Sequence, residues 1–600
     1  MEKNKIIFED LHRTGEVREM EMPNQSKYNF LLERNKKYMN FNALSFEGMK
    51  DKVTYEELHD KIWQYAKALY KKGIRKGDLI GFCAVNTPES IYIMYALDII
   101  GAITVGLSPL NNEYQMRRDI EMIKPQRVIT VDMFYGNLKG SLNDFNVSPI
   151  LYSPIESMQS PIIKAIYKMK QIKEGNFKFG KDFDLKSIVK DGSDSEIERW
   201  AYSPDYVSDI MFTGGSTGRH KGVELYGNGF NCLIKALDRV FFLEPGQIHL
   251  GNVPVNHMVF GKALTHYVLC NNMEYALTLK MGPNDFTDEI IRTGANGIMG
   301  GPIHFENMIN NSKITPGSLA TVEQAVSGGE AFKLRKKQEV EETLRKGGSN
   351  AVIANAIGAT ETESVTHVDI IDTRNLPFPY YVDYNKEPVT CGYPIPGIEY
   401  RIVDKTALTE RGEIIDVAPG ESGLFLVSGP TIMKGYYQNP EENAKVFVTD
   451  SDGKVWFNQG DLMRATGKDF KKTEFTGRVK RNFVSGVSNI YPEEIEELLL
   501  KFDEIREAVI VSVPDEKYQY LPVYHISLNY ECDTEALKGK IDELIYRTVG
   551  EDALPGLIEY TLSPLPRTDN GKLNAPILEQ ADREKYIGEN KANSLVRMKY

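Results

Sequence analysis

The sequence predicts an α/β protein: a large N-terminal domain with mixed and parallel sheets flanked by helices, then a small, mobile α+β domain. Three observations predict it. Apolar strands alternate with amphipathic helices from Val53 to Asp132, a glycine-rich turn follows a buried strand at Thr213, and the pattern changes near Gly477. Strand–helix–strand alternation calls for a parallel sheet covered on both faces. A chain of 600 residues exceeds what one core usually holds, so at least two domains are expected.

Thr54 and Glu57 form a capping-box pattern, and Leu58, Ile62, Ala66 and Leu69 follow at helical spacing up to Gly73. Asp78–Val85 reads as a buried strand. Thr87 and Pro88 are then N-cap and first residue of a helix that stops at Gly101, with a strand after it. A helix near Asn112–Lys124 leads into a strand at Arg127–Asp132. Residues 154–205 are polar and read as a surface insertion. Within it, Pro161–Lys173 is a candidate helix with Ile162, Ile163, Ile166 and Tyr167 on one face and four lysines interleaved. Such a helix either packs on the domain, the expected case, or makes peripheral contact with a membrane. Past Gly477 come a helix (Glu493–Phe502), two strands and a second helix (Thr534–Thr548). The expected domains are 1–479 and 480–600.

Composition narrows the function. Hydrophobic residues make up 41% and charged residues 26%, ordinary for a globular enzyme, and the net charge of -12 argues against a nucleic-acid partner. Cys83, Cys232, Cys270, Cys391 and Cys532 contain no C-x-x-C pair, so neither a zinc site nor a redox dithiol is indicated. Met1–Met22 lacks an apolar signal segment, and no stretch approaches the roughly 18 apolar residues of a membrane span. A cytoplasmic location is expected.

The strongest local signal is Ser208–Leu225. Strand residues Ile210–Phe212 run into Thr213, Gly214, Gly215, Ser216, Thr217 and Gly218, with Lys221 just beyond. Glycines let backbone amides face an anion, hydroxyls add donors and the lysine adds charge, which makes a polyphosphate cradle. It is not a Walker A loop, because Lys221 precedes Gly222 instead of following the last glycine.

Thr213–Gly222 resembles the phosphate loop of the adenylate-forming (AMP-binding) superfamily, which includes acyl-CoA synthetases, long-chain fatty acid–CoA ligases, luciferases and peptide-synthetase adenylation domains. That loop reads roughly T-S-G-T-T-G-x-P-K-G, and Gly214, Ser216 and His220 are the departures. Four further segments carry the likeness in family order. NAIGATETES holds Asn355, Ile357, Gly358, Thr360 and Glu361; the resemblance implies that Thr360 meets the α-phosphate, that Glu361 holds Mg2+ and that Ile357 lies where an aromatic usually stacks on adenine. WFNQGDL implies that Asp461 accepts the ribose hydroxyls. Gly477–Glu497 implies Arg478 at ribose or phosphate, Lys480 as hinge and Gly486 at the thiol substrate. LPRTDNGKLN implies Lys572 as the adenylation lysine.

Asn252–Leu264 resembles the P-x-x-H-x-x-G of acyl-CoA synthetases, which puts His257 at the acyl pocket, with Gly300, Gly301, Gly328 and Gly329 as further walls. No Asp lies between Gly251 and Lys280 to hold an α-amino group, which disfavours an amino-acid substrate. The resemblance implies an AMP-forming acid–thiol ligase using ATP and Mg2+, acting on a carboxylic acid, with a medium- or long-chain fatty acid as the favoured class. Coenzyme A is the expected acceptor and a free-standing acyl carrier protein the alternative, since the stretch from Lys572 to Tyr600 leaves no room for a fused carrier domain. A degenerate nucleotide-binding regulator is the non-enzyme alternative.

Overall fold

The structure is a computed structural model. It describes residues 23–49, 51–111, 113–154, 167, 169, 183–192, 195–198, 200–213, 221–329, 332, 334–384, 389–467, 472–479, 481, 483–485, 488–515, 518–568 and 572–587. The candidate helix Pro161–Lys173 lies outside them except for Tyr167 and Met169.

The chain divides into two compact units. The larger comprises Met1–Phe332, Lys336–Tyr400 and Val427–Phe457; the smaller comprises Lys333–Arg335, Arg401–Leu426 and Asn458–Tyr600.

Two sheets organise the larger unit. One has seven strands in the order Gly435–Tyr436, Lys221–Tyr226, Val207–Thr213, Ile103–Gly106, Leu79–Cys83, Arg127–Val131, Ser148–Tyr152. Its core from Val207–Thr213 onward is parallel, while Lys221–Tyr226 returns antiparallel as a hairpin partner. The other has nine strands and includes the parallel run Gly297–Gly300, Gln324–Gly328, Ile353–Ile357. Local chemistry explains the helices between them. Thr54 caps Tyr55–Lys71 with a full capping box through Glu57. Thr87 caps Pro88–Ile100, which ends at Gly101 in the left-handed conformation. That second helix is apolar almost all round because it is buried, with Ile93, Ala96, Leu97 and Ile100 packed against Leu69, Ile80 and Ile129. The α/β class read from the sequence therefore holds.

The smaller unit has a five-stranded sheet in which Gln519–Leu528 pairs antiparallel with Ile505–Asp515 and parallel with Leu557–Thr561. Helices Pro492–Leu499 and Thr534–Thr548 cover one face through Ile495, Leu499, Leu537 and Ile541. Helix Ala575–Ile587 covers the other. Among the described residues, no helix is long and apolar enough to cross a membrane.

Candidate active site

Among the described residues, most of the sequence-predicted ones in the larger unit sit at carboxyl ends of parallel strands, where α/β sheets place their ligands. Gly300 and Gly301 end one strand, Gly328 and Gly329 the next, and Ile357 and Gly358 the third, with Ser327 beside Asn355 and Gly328 beside Ala356 in register. A methyl group on Gly301 would approach only the Gly328 carbonyl, at 3.7 Å, and His304 Nδ1, at 3.9 Å, and one on Gly328 only the Ala356 carbonyl, at 3.6 Å, whereas on Gly300 it would meet His304 Cβ at 3.0 Å. Asn355 donates to the Thr390 carbonyl at 3.2 Å, and its buried Oδ1 has no partner among the described residues.

Thr213 ends the strand that enters the glycine-rich loop, and Lys221 opens the returning strand directly opposite it. Gly214, Gly215, Ser216, Thr217 and Gly218 lie outside the described residues, as do Lys480 and Gly486. Period-2 alternation puts Lys221 and Val223 on one face, and Tyr436 pairs with Val223 from the edge strand. The Tyr436 ring therefore lies under the lysine, with the ammonium 4.5 Å from its centroid. Lys221 also forms an ion pair with Glu442, whose carboxyl is held down at about 2 by hydrogen bonds from Lys221 and then Lys445.

Glu361 reaches the same tyrosine from another element. It sits in the 3-10 turn Thr360–Thr362, where Thr362 Oγ1 donates to the carbonyl of Ala359, the residue before the turn, at 3.2 Å. Gly358 precedes this turn where the chain folds back so tightly that a Cβ would lie 1.4 Å from the Ser364 carbonyl oxygen; only glycine fits. The Glu361 carbonyl accepts from Met433 N–H at 2.8 Å, which ties the turn to the segment before Gly435. Tyr436 OH then donates to Glu361 Oε1 at 2.9 Å. Burial, followed by the Glu361 charge, raises the Tyr436 hydroxyl far above its usual range, so it stays a donor. One buried tyrosine thus joins the predicted phosphate cation Lys221 to the predicted metal carboxylate Glu361. A cleft of about 450 Å³ is lined by Ser428, Gly429, Ile432, Phe447, Phe457 and the same Met433 whose N–H donates to the Glu361 carbonyl.

His257 follows Asn256, whose amide donates to the Phe82 carbonyl at 2.8 Å. The segment crosses the end of strand Ile103–Gly106 so closely that a Cβ on Gly106 would meet the Asn256 carbonyl at 2.5 Å. Burial lowers His257 to about 4, which keeps its imidazole neutral near pH 7.

In the smaller unit, Asp461 and Arg478 face each other in register on neighbouring strands, with Arg478 Nε 2.8 Å from the buried Asp461 Oδ1. Lys572 is exposed and precedes Leu573, which bridges Arg567. Its N–H donates to Thr568 Oγ1 at 3.2 Å and its carbonyl accepts from Thr568 N–H at 2.7 Å.

Residues 31–437 match the family model "AMP-binding enzyme", and residues 494–572 match "AMP-binding enzyme C-terminal domain". The chain belongs to the AMP-binding enzyme family. A long-chain-fatty-acid–CoA ligase of Bacillus subtilis is 25% identical over 578 residues, covering 95% of this chain and 97% of the relative. An acetyl-coenzyme A synthetase of Psychromonas ingrahamii is 25% identical over 570 residues, covering 90% and 81%. Among solved structures, ATP-bound MatB from Rhodopseudomonas palustris superposes with a TM-score of 0.77 at 18% identity, covering 94% of this chain and all of that one. With relatives of these names, the class expected from the sequence, an AMP-forming acid–thiol ligase, holds. Relatives named for long-chain and for two-carbon acids are equally distant, so likeness does not choose the acid.

Sequence reading missed Tyr436 and Glu442. The signal was present in GYYQNPEENAKVF, where a tyrosine follows a glycine and a carboxylate follows six residues later. Neither residue type marks itself as an orienter without the neighbouring strand. It also missed Asp209, which lies four residues before Thr213, fully buried and ion-paired to both Lys27 and Lys262. These pairs fasten the strand that enters the phosphate loop to helices Lys27–Asn35 and Val259–Cys270.

Proposed function

We propose that this enzyme activates a carboxylic acid, of medium- or long-chain fatty class, with ATP and Mg2+ and passes the acyl group to coenzyme A. The observation that carries the reading is the convergence of Lys221 and Glu361 on Tyr436 beside the hairpin that holds the glycine-rich loop.

A carboxylate oxygen attacks the α-phosphorus of ATP, and the bond to the β-phosphate oxygen breaks, giving acyl-AMP and pyrophosphate. Negative charge spreads over phosphoryl oxygens, so fixed cations and donors aimed there lower the barrier. In this reading Lys221 leaves Glu442 and pairs with the β- and γ-phosphates, and the amides and hydroxyls from Thr213 to Gly218 cradle them. Thr360 donates to the α-phosphate. Tyr436 takes one oxygen of Glu361, which leaves a hard oxygen ligand for a divalent ion. Magnesium bound there supplies positive charge at the phosphates. Asp461 accepts the ribose hydroxyls, Arg478 supports it, Asn355 and Ile357 border the adenine, and Lys572 contacts the α-phosphate. For the second half-reaction, rotation about Lys480 withdraws Lys572 and brings Gly486 toward the thiol. The sulfur attacks the acyl carbonyl and AMP leaves. The acid lies among His257, Gly300, Gly301, Gly328 and Gly329, and the neutral His257 and the absence of side chains on the glycines suit an alkyl chain.

An acid panel assayed for AMP formation with and without coenzyme A tests this. Acid-dependent AMP with a chain-length optimum, and thioester only when coenzyme A is added, is expected. AMP formation with an acyl carrier protein but not with coenzyme A would overturn the choice of acceptor.

A further inference from the structure

The smaller unit carries a cluster that the reaction does not use. His525 on strand Gln519–Leu528 and Glu559 on strand Leu557–Thr561 are register partners across a parallel pair. Asp582 comes from helix Ala575–Ile587, which covers the same face, with its Ala575 packed in one cluster with Val511, Val523 and Leu565. His525 and Asp582 are 5% and 2% exposed, whereas the Glu559 side chain is 34% exposed and open to solvent.

His525 Nε2 lies 2.8 Å from Asp582 Oδ2. A carboxylate oxygen accepts, so Nε2–H donates, and in the neutral ring Nδ1 then offers the lone pair that a metal takes. Nδ1 faces Glu559 Oε2 at 3.4 Å. That is beyond the usual hydrogen-bond range. It equals the edge, roughly 3.3–3.4 Å, of a tetrahedron whose ligands sit about 2.0–2.1 Å from a central zinc. One donor atom from each of His525, Glu559 and Asp582 lies within 4.8 Å of the other two. On the solvent side, the Lys585 ammonium is 2.6 Å from the other Glu559 oxygen.

We propose that His525 Nδ1 and Glu559 bind a divalent transition metal of the zinc type, with Asp582 orienting the imidazole and water completing the shell at the open side. Imidazole with carboxylate suits zinc better than magnesium or calcium, and a carboxylate behind the ligating histidine is the usual supporting arrangement. Both ligands stand on paired strands, so the backbone fixes their spacing. The ion joins the two strands, and the His525–Asp582 hydrogen bond links them to the helix that begins three residues after Lys572.

The test is a zinc titration of the full chain, stripped with chelator, against a chromophoric competitor, for wild type, His525→Gln, Glu559→Gln and Asp582→Asn. Sites elsewhere, such as cysteines or Glu361, contribute equally to all four. His525→Gln and Glu559→Gln are expected to bind one equivalent fewer than wild type, and Asp582→Asn to bind that equivalent about 10- to 100-fold more weakly. Zinc is expected to raise the melting temperature of wild type, that of Asp582→Asn only at higher concentration, and to add nothing through this site in His525→Gln and Glu559→Gln. Should His525→Gln fail to fold by circular dichroism, Glu559→Gln decides, because its carboxylate lies at the open side. Equal zinc stoichiometry and affinity in wild type and Glu559→Gln overturns the proposal.

Discussion

Replacing Tyr436 with phenylalanine removes one oxygen and isolates the contact on which the site is built. The hydroxyl donates to Glu361 at 2.9 Å, and Tyr436 is 5% exposed, so water does not readily substitute. A hydrogen bond to a charged acceptor is worth about 1.5–3 kcal/mol. At about 1.36 kcal/mol per factor of ten, kcat/KM for Mg·ATP falls roughly 10- to 150-fold. The ring remains, so Lys221 keeps its contact at 4.5 Å from the centroid. Tyr436→Leu removes that as well, at a further cost of about 0.5–2 kcal/mol. Acid-dependent pyrophosphate release, measured across Mg2+ concentrations, reads both effects, and the half-saturating Mg2+ concentration rises in Tyr436→Phe. Because burial and the Glu361 charge keep the hydroxyl protonated, the ratio of wild type to Tyr436→Phe stays flat from pH 6 to pH 9. A Tyr436→Phe enzyme within twofold of wild type, with unchanged Mg2+ dependence, refutes the reasoning.

Three other outcomes follow from the same structure. Asp209→Asn leaves Lys27 and Lys262 buried without their counter-charge and costs about 3–5 kcal/mol in urea unfolding, and Asp209→Asn with Lys262→Met recovers part of it; a loss under 1 kcal/mol contradicts the pairing. Burial lowers His59 and His249 to about 4 and His367 to about 3, below the unfolded value of about 6.5, so the unfolded chain binds more protons in that window. Stability is therefore full above the unfolded value and is lost as pH falls toward 4, by about 1.4 kcal/mol per pH unit for each histidine, and His249→Gln shallows that slope. Lys572→Ala abolishes adenylation yet spares thioester formation from supplied acyl-AMP; equal loss of both half-reactions contradicts the assigned role.

Much of the larger unit was legible because its signals are local. The capping box at Thr54 and Glu57, the Thr87–Pro88 start and the Gly101 stop all appear as read. Strand ends were read one or two residues long, as at Asp78–Val85 against Leu79–Cys83, because apolar character continues past the last ladder bond. Lys221 and Glu361 were legible as residues by resemblance. Their meeting was not, because Tyr436 enters through a two-residue edge strand, Gly435–Tyr436, too short to register as a period. Asp209 was hidden for another reason. It reads as a polar interruption in an apolar strand, and only the fold brings Lys27 and Lys262 to it from far along the chain.

The account rests on Lys221 and Glu361 acting on one triphosphate. Acid-dependent exchange of labelled pyrophosphate into ATP, in wild type, Lys221→Met and Glu361→Gln, measures this without any thiol present. Exchange is expected only when acid is added, with each variant losing at least tenfold and the double variant little more than the worse single, since both groups serve one transition state. Exchange that needs no acid, or losses that multiply as for two independent sites, contradicts it.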